Sequence, residues 1–151
     1  MSNTPHPPTI DAGRLWAGGA ATAVVAALVA LVGVLVAQGP LDIVMVRPPL
    51  IPVGESFGLR YAVTASVLAL VATGLAHLLL LTTPRPRSFF SWIVGLATLV
   101  GVVLPFTLDG TTSGRVATAV VDLVIGLSVL NLLGSVMSRT VRRAGRTRTT
   151  Y

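Results

Sequence analysis

Cysteine and lysine are both missing from this sequence. Without thiols there can be no disulfide, thiolate metal site, iron–sulfur cluster or thiol redox chemistry. Charge of either sign is also scarce, at 11% of 151 residues, against roughly 25% in an ordinary soluble domain. A soluble fold built from this chain would lack a polar surface. Acids are the rarest charged type, five against eleven arginines, for a formal net charge of +6. A basic excess of that kind suits either nucleic acid or anionic lipid. What the chain has in abundance is apolar residues, 53% of the total, with a mean hydropathy of +0.84.

Those apolar residues fall into four blocks, about 15–37, 61–81, 89–108 and 116–137. Each is close to the ~20 residues that a helix rising 1.5 Å per residue needs to cross about 30 Å of hydrocarbon. Backbone amides in lipid have no water to bond, so each span must coil on itself or close into a barrel. The runs are continuous rather than alternating, which rejects the barrel. The expected fold is an all-α four-helix transmembrane bundle with antiparallel neighbours, because the connectors at 82–88 and 109–114 are short. Flanking it are a disordered, Pro-rich leader (1–13) and a basic tail (139–151), with the membrane domain at 14–138. A cleaved signal peptide is the competing reading of the first block, but an apolar run of about 23 residues exceeds the usual h-region of 7–15.

Orientation follows from arginine counting, since cytoplasmic flanks retain positive charge during insertion. With the N-terminus inside, eight arginines (Arg14, Arg85, Arg87, Arg139, Arg142, Arg143, Arg146 and Arg148) are cytoplasmic and three (Arg47, Arg60 and Arg115) are outside. We therefore expect a multi-pass cell-membrane protein with both termini in the cytoplasm. Trp16, Phe89, Phe90 and Trp92 would then form the inner aromatic belt and Tyr61 the outer one.

Helix association in lipid rests on close backbone approach. The first span carries Gly18, Thr22, Ala26 and Ala30 at four-residue spacing, with Gly19, Ala23 and Ala27 beside them, and the second offers Ala65, Ala69 and Thr73. A tight contact between spans one and two is predicted. Pro105 should disturb the outer end of the third span, where it lacks the N–H that would bond to Gly101. The one long connection, from Gln38 to Gly58, holds a segment rich in β-branched residues, Leu41 to Val46, and then Pro48, Pro49, Pro52 and Gly54. It predicts a short extended segment or β-hairpin over the outer helix ends.

Asp122 is the residue most able to carry chemistry. An ionisable side chain within a span costs about 2.5–3.5 kcal/mol on insertion scales and normally faces the bundle or a wet cavity. Arg115, Thr118, Ala119 and Gly126 share its helix face, and Thr64 and Ser66 of span two should lie at similar depth. A proton or cation relay, or a counter-ion for a cationic substrate, is the sharp reading. The plain one is a structural acid, protonated or paired with Arg60 or Arg115. His77 reads as a neutral interfacial histidine rather than a haem ligand, since His6 in the leader cannot supply a second axial ligand. Asn131, Ser128, Ser135 and Ser138 lie on the opposite face of span four and could bond a neighbouring helix, a second copy or a membrane-protein partner.

The tail arginines Arg139, Arg142, Arg143, Arg146 and Arg148 read as a topology determinant and an anchor to anionic lipid of the cytoplasmic leaflet, at about 1 kcal/mol per charge. With no stacking aromatic beyond Tyr151, nucleic-acid binding is not expected. No phosphate-binding glycine loop, zinc motif, paired carboxylates or Ser-His-Asp set is present, so neither catalytic residues, metal nor cofactor is expected.

The exit from span one, Val34 to Val44, the long first outer loop and the hairpin from Leu104 to Asp122 together resemble an uncharacterised actinobacterial family of four-transmembrane-helix proteins, domain of unknown function 6069. Arginine-only usage is similar to what a GC-rich genome produces. The resemblance implies a four-span membrane fold over nearly the whole chain and no assigned activity. Two functional readings follow: a non-enzymatic packing, interaction or accessory component, or a small transporter or ion-coupled carrier using Asp122.

Overall fold

The structure, a computed structural model, describes residues 12–46 and 56–146, and of 139–146 the backbone alone. It is an all-α four-helix bundle, with no strand among the described residues. Helix α1 spans Ala12–Gln38, α2 Phe57–Thr82, α3 Pro86–Val103 and α4 Thr112–Arg146; a 3₁₀ turn, Leu104–Thr107, follows α3. All four helices are long and apolar enough to cross a membrane, with the 3₁₀ turn completing the third. One end of the bundle carries the loop after α1 and the turn before α4, here the loop end. The other carries the start of α1, the end of α4 and the α2–α3 turn, here the terminal end.

The helices outrun the apolar blocks because polar residues cap them. Ser56 accepts from the Leu59 amide at 3.4 Å, so α2 starts at Phe57 and not at Tyr61. Pro86 opens α3, a position where its missing N–H costs nothing. The Thr111 hydroxyl accepts from the Gly114 amide at 3.1 Å and starts α4 four residues before the expected Val116. Helix α1 begins at Ala12, inside the expected leader. Pro105 ends α3 as an α-helix: the chain tightens into the 3₁₀ turn that contains it.

The fourth candidate membrane span ends at Ser138, and the backbone stays helical beyond it. Arg139, Arg142, Arg143 and Arg146, of the tail expected to follow the fourth span at once, lie on the backbone of α4, which runs on without a break where a helix end near Met137 was expected. Arginine and alanine are good helix formers, and no proline or glycine interrupts the stretch before Gly145. The side chains of these four arginines lie outside the described residues, and the lipid-anchor reading of them lies outside with them. So do Arg148, the leader up to residue 11, Arg47 and the prolines at 48, 49 and 52.

Helix α1 packs most closely on α2, as the small residues predicted. The space for a side chain at Gly19 is filled by Thr73, and Ala23, Ala26, Ala30, Ala65 and Ala69 are all buried. Ala27 packs at the edge of this core. Gly18 belongs to a different seam, since a Cβ there would stand 2.7 Å from Val136 of α4, as one at Gly33 would from Val121. The stripe on α1 thus serves two neighbours. The Ser66 hydroxyl donates to the Ala23 carbonyl at 3.2 Å, tying α2 to α1 rather than facing Asp122.

Bulk is concentrated at the terminal end, where Leu15, Phe90, Leu133 and Met137 are fully buried. Phe90, at 1% exposure, is a core residue and no part of an aromatic belt. Trp16, Phe89 and Trp92 are exposed as expected. At the loop end the chain leaves α1 through Gly39, turns at Asp42 in the left-handed region (φ 49°), and runs back over the bundle. Met45 and Val46 are buried there. An extended segment over the helix ends is present through Val46, without strand pairing; residues 47–55 lie outside the described region.

Candidate functional site

Around the bundle the helices follow in chain order, but α3 sits closely on α4 and more loosely on α2. Gly126 of α4 makes the close approach, because Thr98 of α3 occupies the space its side chain would fill. A groove of about 360 Å³ remains between α2, α3 and α4. Its walls include Leu68 and Val71, which are 52% and 63% exposed, so it opens sideways between α2 and α3 into the surroundings of the bundle.

Polarity along the groove is graded. Tyr61, Thr64, Thr118 and Asp122 lie toward the loop end, Thr98 lies in between, and Leu75, Ile93, Val94 and Val129 line the terminal end. Asp122 is ten residues into α4, about 15 Å along the helix at 1.5 Å per residue. Tyr61 is one turn into α2 and only 4% exposed. Its hydroxyl donates to Oδ1 of Asp122 in a short hydrogen bond, and Phe57, one turn earlier, stacks on its ring with centroids 5.9 Å apart. Tyr61 is therefore a site residue and not an outer-belt anchor. Burial explains the reassignment, since an enclosed phenol must find an acceptor.

Asp122 is thus met by Tyr61 rather than by Arg60 or Arg115, and forms no ion pair among the described residues. Arg115 Nε is buried without a hydrogen-bond partner among them. Thr118, one turn from Asp122, accepts the Val46 amide at 3.0 Å and donates to the Gly114 carbonyl at 2.8 Å, anchoring the loop over the groove. Gly114 is required by this arrangement, because the Val44 carbonyl fills the space of its missing side chain.

The remaining hydroxyls in the walls are committed. Thr64 donates to the Arg60 carbonyl and Thr98 to the Val94 carbonyl, each at 2.8 Å. With Tyr61 bonded to Asp122 and the Val46 amide bonded to Thr118, the donors of the site are turned inward. Asp122 itself lines the groove, and its Oδ2 accepts no hydrogen bond among the described residues.

Elsewhere, His77 at the terminal end lies against Trp16, ring centroids 6.4 Å apart and tilted by 52°, with Nδ1 buried and unpartnered among the described residues. It stands at the opposite end of the bundle from Asp122, as the spacing implied, two residues beyond Leu75 of the groove wall. Ser128, Asn131 and Ser135 are on the outside of α4, each donating to its own helix, Asn131 Nδ2 to the Leu127 carbonyl at 2.9 Å. Val46, Thr98 and Pro105 went unnoticed in the sequence as groove residues. For Thr98 a cue exists, a hydroxyl one helix away from a glycine in an apolar span.

Fold and groove together define a four-span α-helical membrane protein with a carboxylate in a cleft between its helices. Residues 10–147 match the sequence model of the family of unknown function DUF6069, and the chain belongs to that family. Comparison with curated proteins and with solved structures gives no match.

Proposed function

We propose that the protein is a non-enzymatic membrane component that receives a lipid-soluble guest in the groove between α2, α3 and α4. The groove itself carries this reading: its volume falls within the roughly 300–1,000 Å³ of small-molecule sites. Its apolar walls open toward lipid and its few polar groups converge at one end. Hydroxyls already bonded to their own helices supply no activated nucleophile beside Asp122, which supports binding over catalysis. Native mass spectrometry of gently extracted protein tests it. The wild type should retain one lipid-soluble molecule that Gly101→Leu excludes, since there is room at Gly101, where a Cβ would stand 4.0 Å from Asp122 Cβ. A wild type that carries nothing, or a variant that carries the same molecule, overturns it.

Eight arginines against three support a cell-membrane topology with the terminal end in the cytoplasm, where the helical continuation of α4 meets anionic lipid. A second reading, association with another copy or a partner, is favoured by one observation. Asn131 and Ser135 are exposed on the outer face of α4, within its membrane-crossing stretch. A polar side chain turned toward lipid gains by meeting a partner there.

A further inference from the structure

We infer that the guest is a lipophilic amine: an ammonium head seated on Asp122, with an alkyl or aryl body along the inner groove. This rests on the groove being a binding site and adds the chemistry of its occupant. Three observations lead to it. Among the residues that line the polar end of the groove, which do not include Arg115, the donors are spent on protein acceptors: the Tyr61 hydroxyl on Asp122, the Thr64, Thr98 and Thr118 hydroxyls on backbone carbonyls, and the Val46 amide on Thr118. A guest meets only acceptors, so it must bring the donors itself. One of those acceptors is a carboxylate oxygen with no partner among the described residues, and N–H donors carrying positive charge make the stronger bond to such a group. An anionic headgroup would meet that carboxylate with nothing to bond it, and is rejected.

Depth excludes the common zwitterionic lipids, whose phosphate lies between the amine and the chains: seating the amine at Asp122 would drag the phosphate into the apolar end. The amine must be joined directly to the apolar body. From Asp122 to Val129 is seven residues, about 10 Å. An extended chain advances roughly 1.2 Å per bond, so eight to ten carbons reach the end of the groove, and a longer tail emerges through the opening between α2 and α3.

Decylamine, decanol and decanoate share a chain and differ in the head. With a trifluoromethyl label on Ala97→Cys in the groove wall, fluorine NMR in phosphatidylcholine nanodiscs reads occupancy, and the same label on Val100→Cys, on the outside of α3, reads partition into the bilayer. We expect decylamine to saturate the Ala97 signal at a concentration at least about tenfold below that of decanol, and decanoate to leave it unmoved. Tyr61→Phe should keep the preference and Asp122→Asn should abolish it while decanol still binds. Equal midpoints for amine and alcohol would sink the amine assignment and leave the groove standing. No groove-specific shift with any probe would remove the binding reading itself. The comparison on the native acid decides the matter even if Asp122→Asn fails to fold.

Discussion

Thr73 of α2 stands in the space that a side chain at Gly19 of α1 would need. Backbones approach this closely only where one partner has no Cβ, and in lipid such contact substitutes for the hydrophobic drive that water supplies elsewhere. Gly19→Val should therefore cost about 1–3 kcal/mol of stability, the usual range for overpacking. Gly74→Ala, next to Thr73 but with open space around it, should cost nothing. Reversible unfolding in mixed micelles, followed by tryptophan fluorescence, compares the two; equal losses would mean that the α1–α2 seam is looser than described.

The bond from Tyr61 to Asp122 predicts a coupling between the two positions. Tyr61→Phe leaves a carboxylate without its donor and should cost about 1.5–3 kcal/mol. Asp122→Leu leaves the phenol unpartnered and should also destabilise. Combining Tyr61→Phe with Asp122→Leu should cost less than the sum, because neither group is then stranded. Strict additivity across this cycle would show that the pair does not interact.

Thr118 holds the loop through the Val46 amide, so Thr118→Val should free that amide while preserving shape. Hydrogen exchange at 44–46 is expected to accelerate, with α1 and α2 unchanged. Unaltered exchange would place the anchor elsewhere, for instance in the packing of Met45.

The number of spans and the α1–α2 seam were legible in the sequence because they depend on block length and on residue size, which local composition records. Asp122 was equally visible, since an acid among valines has no ordinary explanation. Its partner was not. Tyr61 looked like an interfacial anchor because it begins an apolar block, and only the cap at Ser56, which extends α2 by a turn, places it inside the bundle. The same holds for Phe90, whose burial depends on how α3 is turned toward the other helices. Arg60 and Arg115 were credible partners for Asp122 by charge alone; which group reaches the acid is settled by how the two helices are turned toward each other, which spacing does not encode. The end of α4 was misjudged for a simpler reason: hydropathy falls at Arg139, whereas helix propensity does not, and Arg142 and Arg143 favour the helix as much as the apolar residues before them.

Asn131 offers an amide that can pair with its own copy, as donor and acceptor at once. A single cysteine at Asn131 in this cysteine-free chain should form disulfide-linked dimers in membranes more readily than one at Val120, about three turns away on the same exposed face. Comparable yields at both sites would argue for random collision over a specific interface.

Single cysteines also settle orientation. Asp109→Cys at the loop end should react with an impermeant maleimide added to intact cells, and Ser88→Cys at the terminal end only after lysis. The reverse pattern would invert the topology drawn from the arginines.

Helix α4 runs unbroken for 35 residues, from the anchor beneath the loop to Arg146. From Asp122 to that end is 24 residues, a rod of about 36 Å. Rocking it by about 5° at the level of the acid would swing the far tip by roughly 3 Å. A shift of the helix at the acid would in this way be carried, enlarged, to the backbone at Arg146, with no break in the helix between them to absorb it.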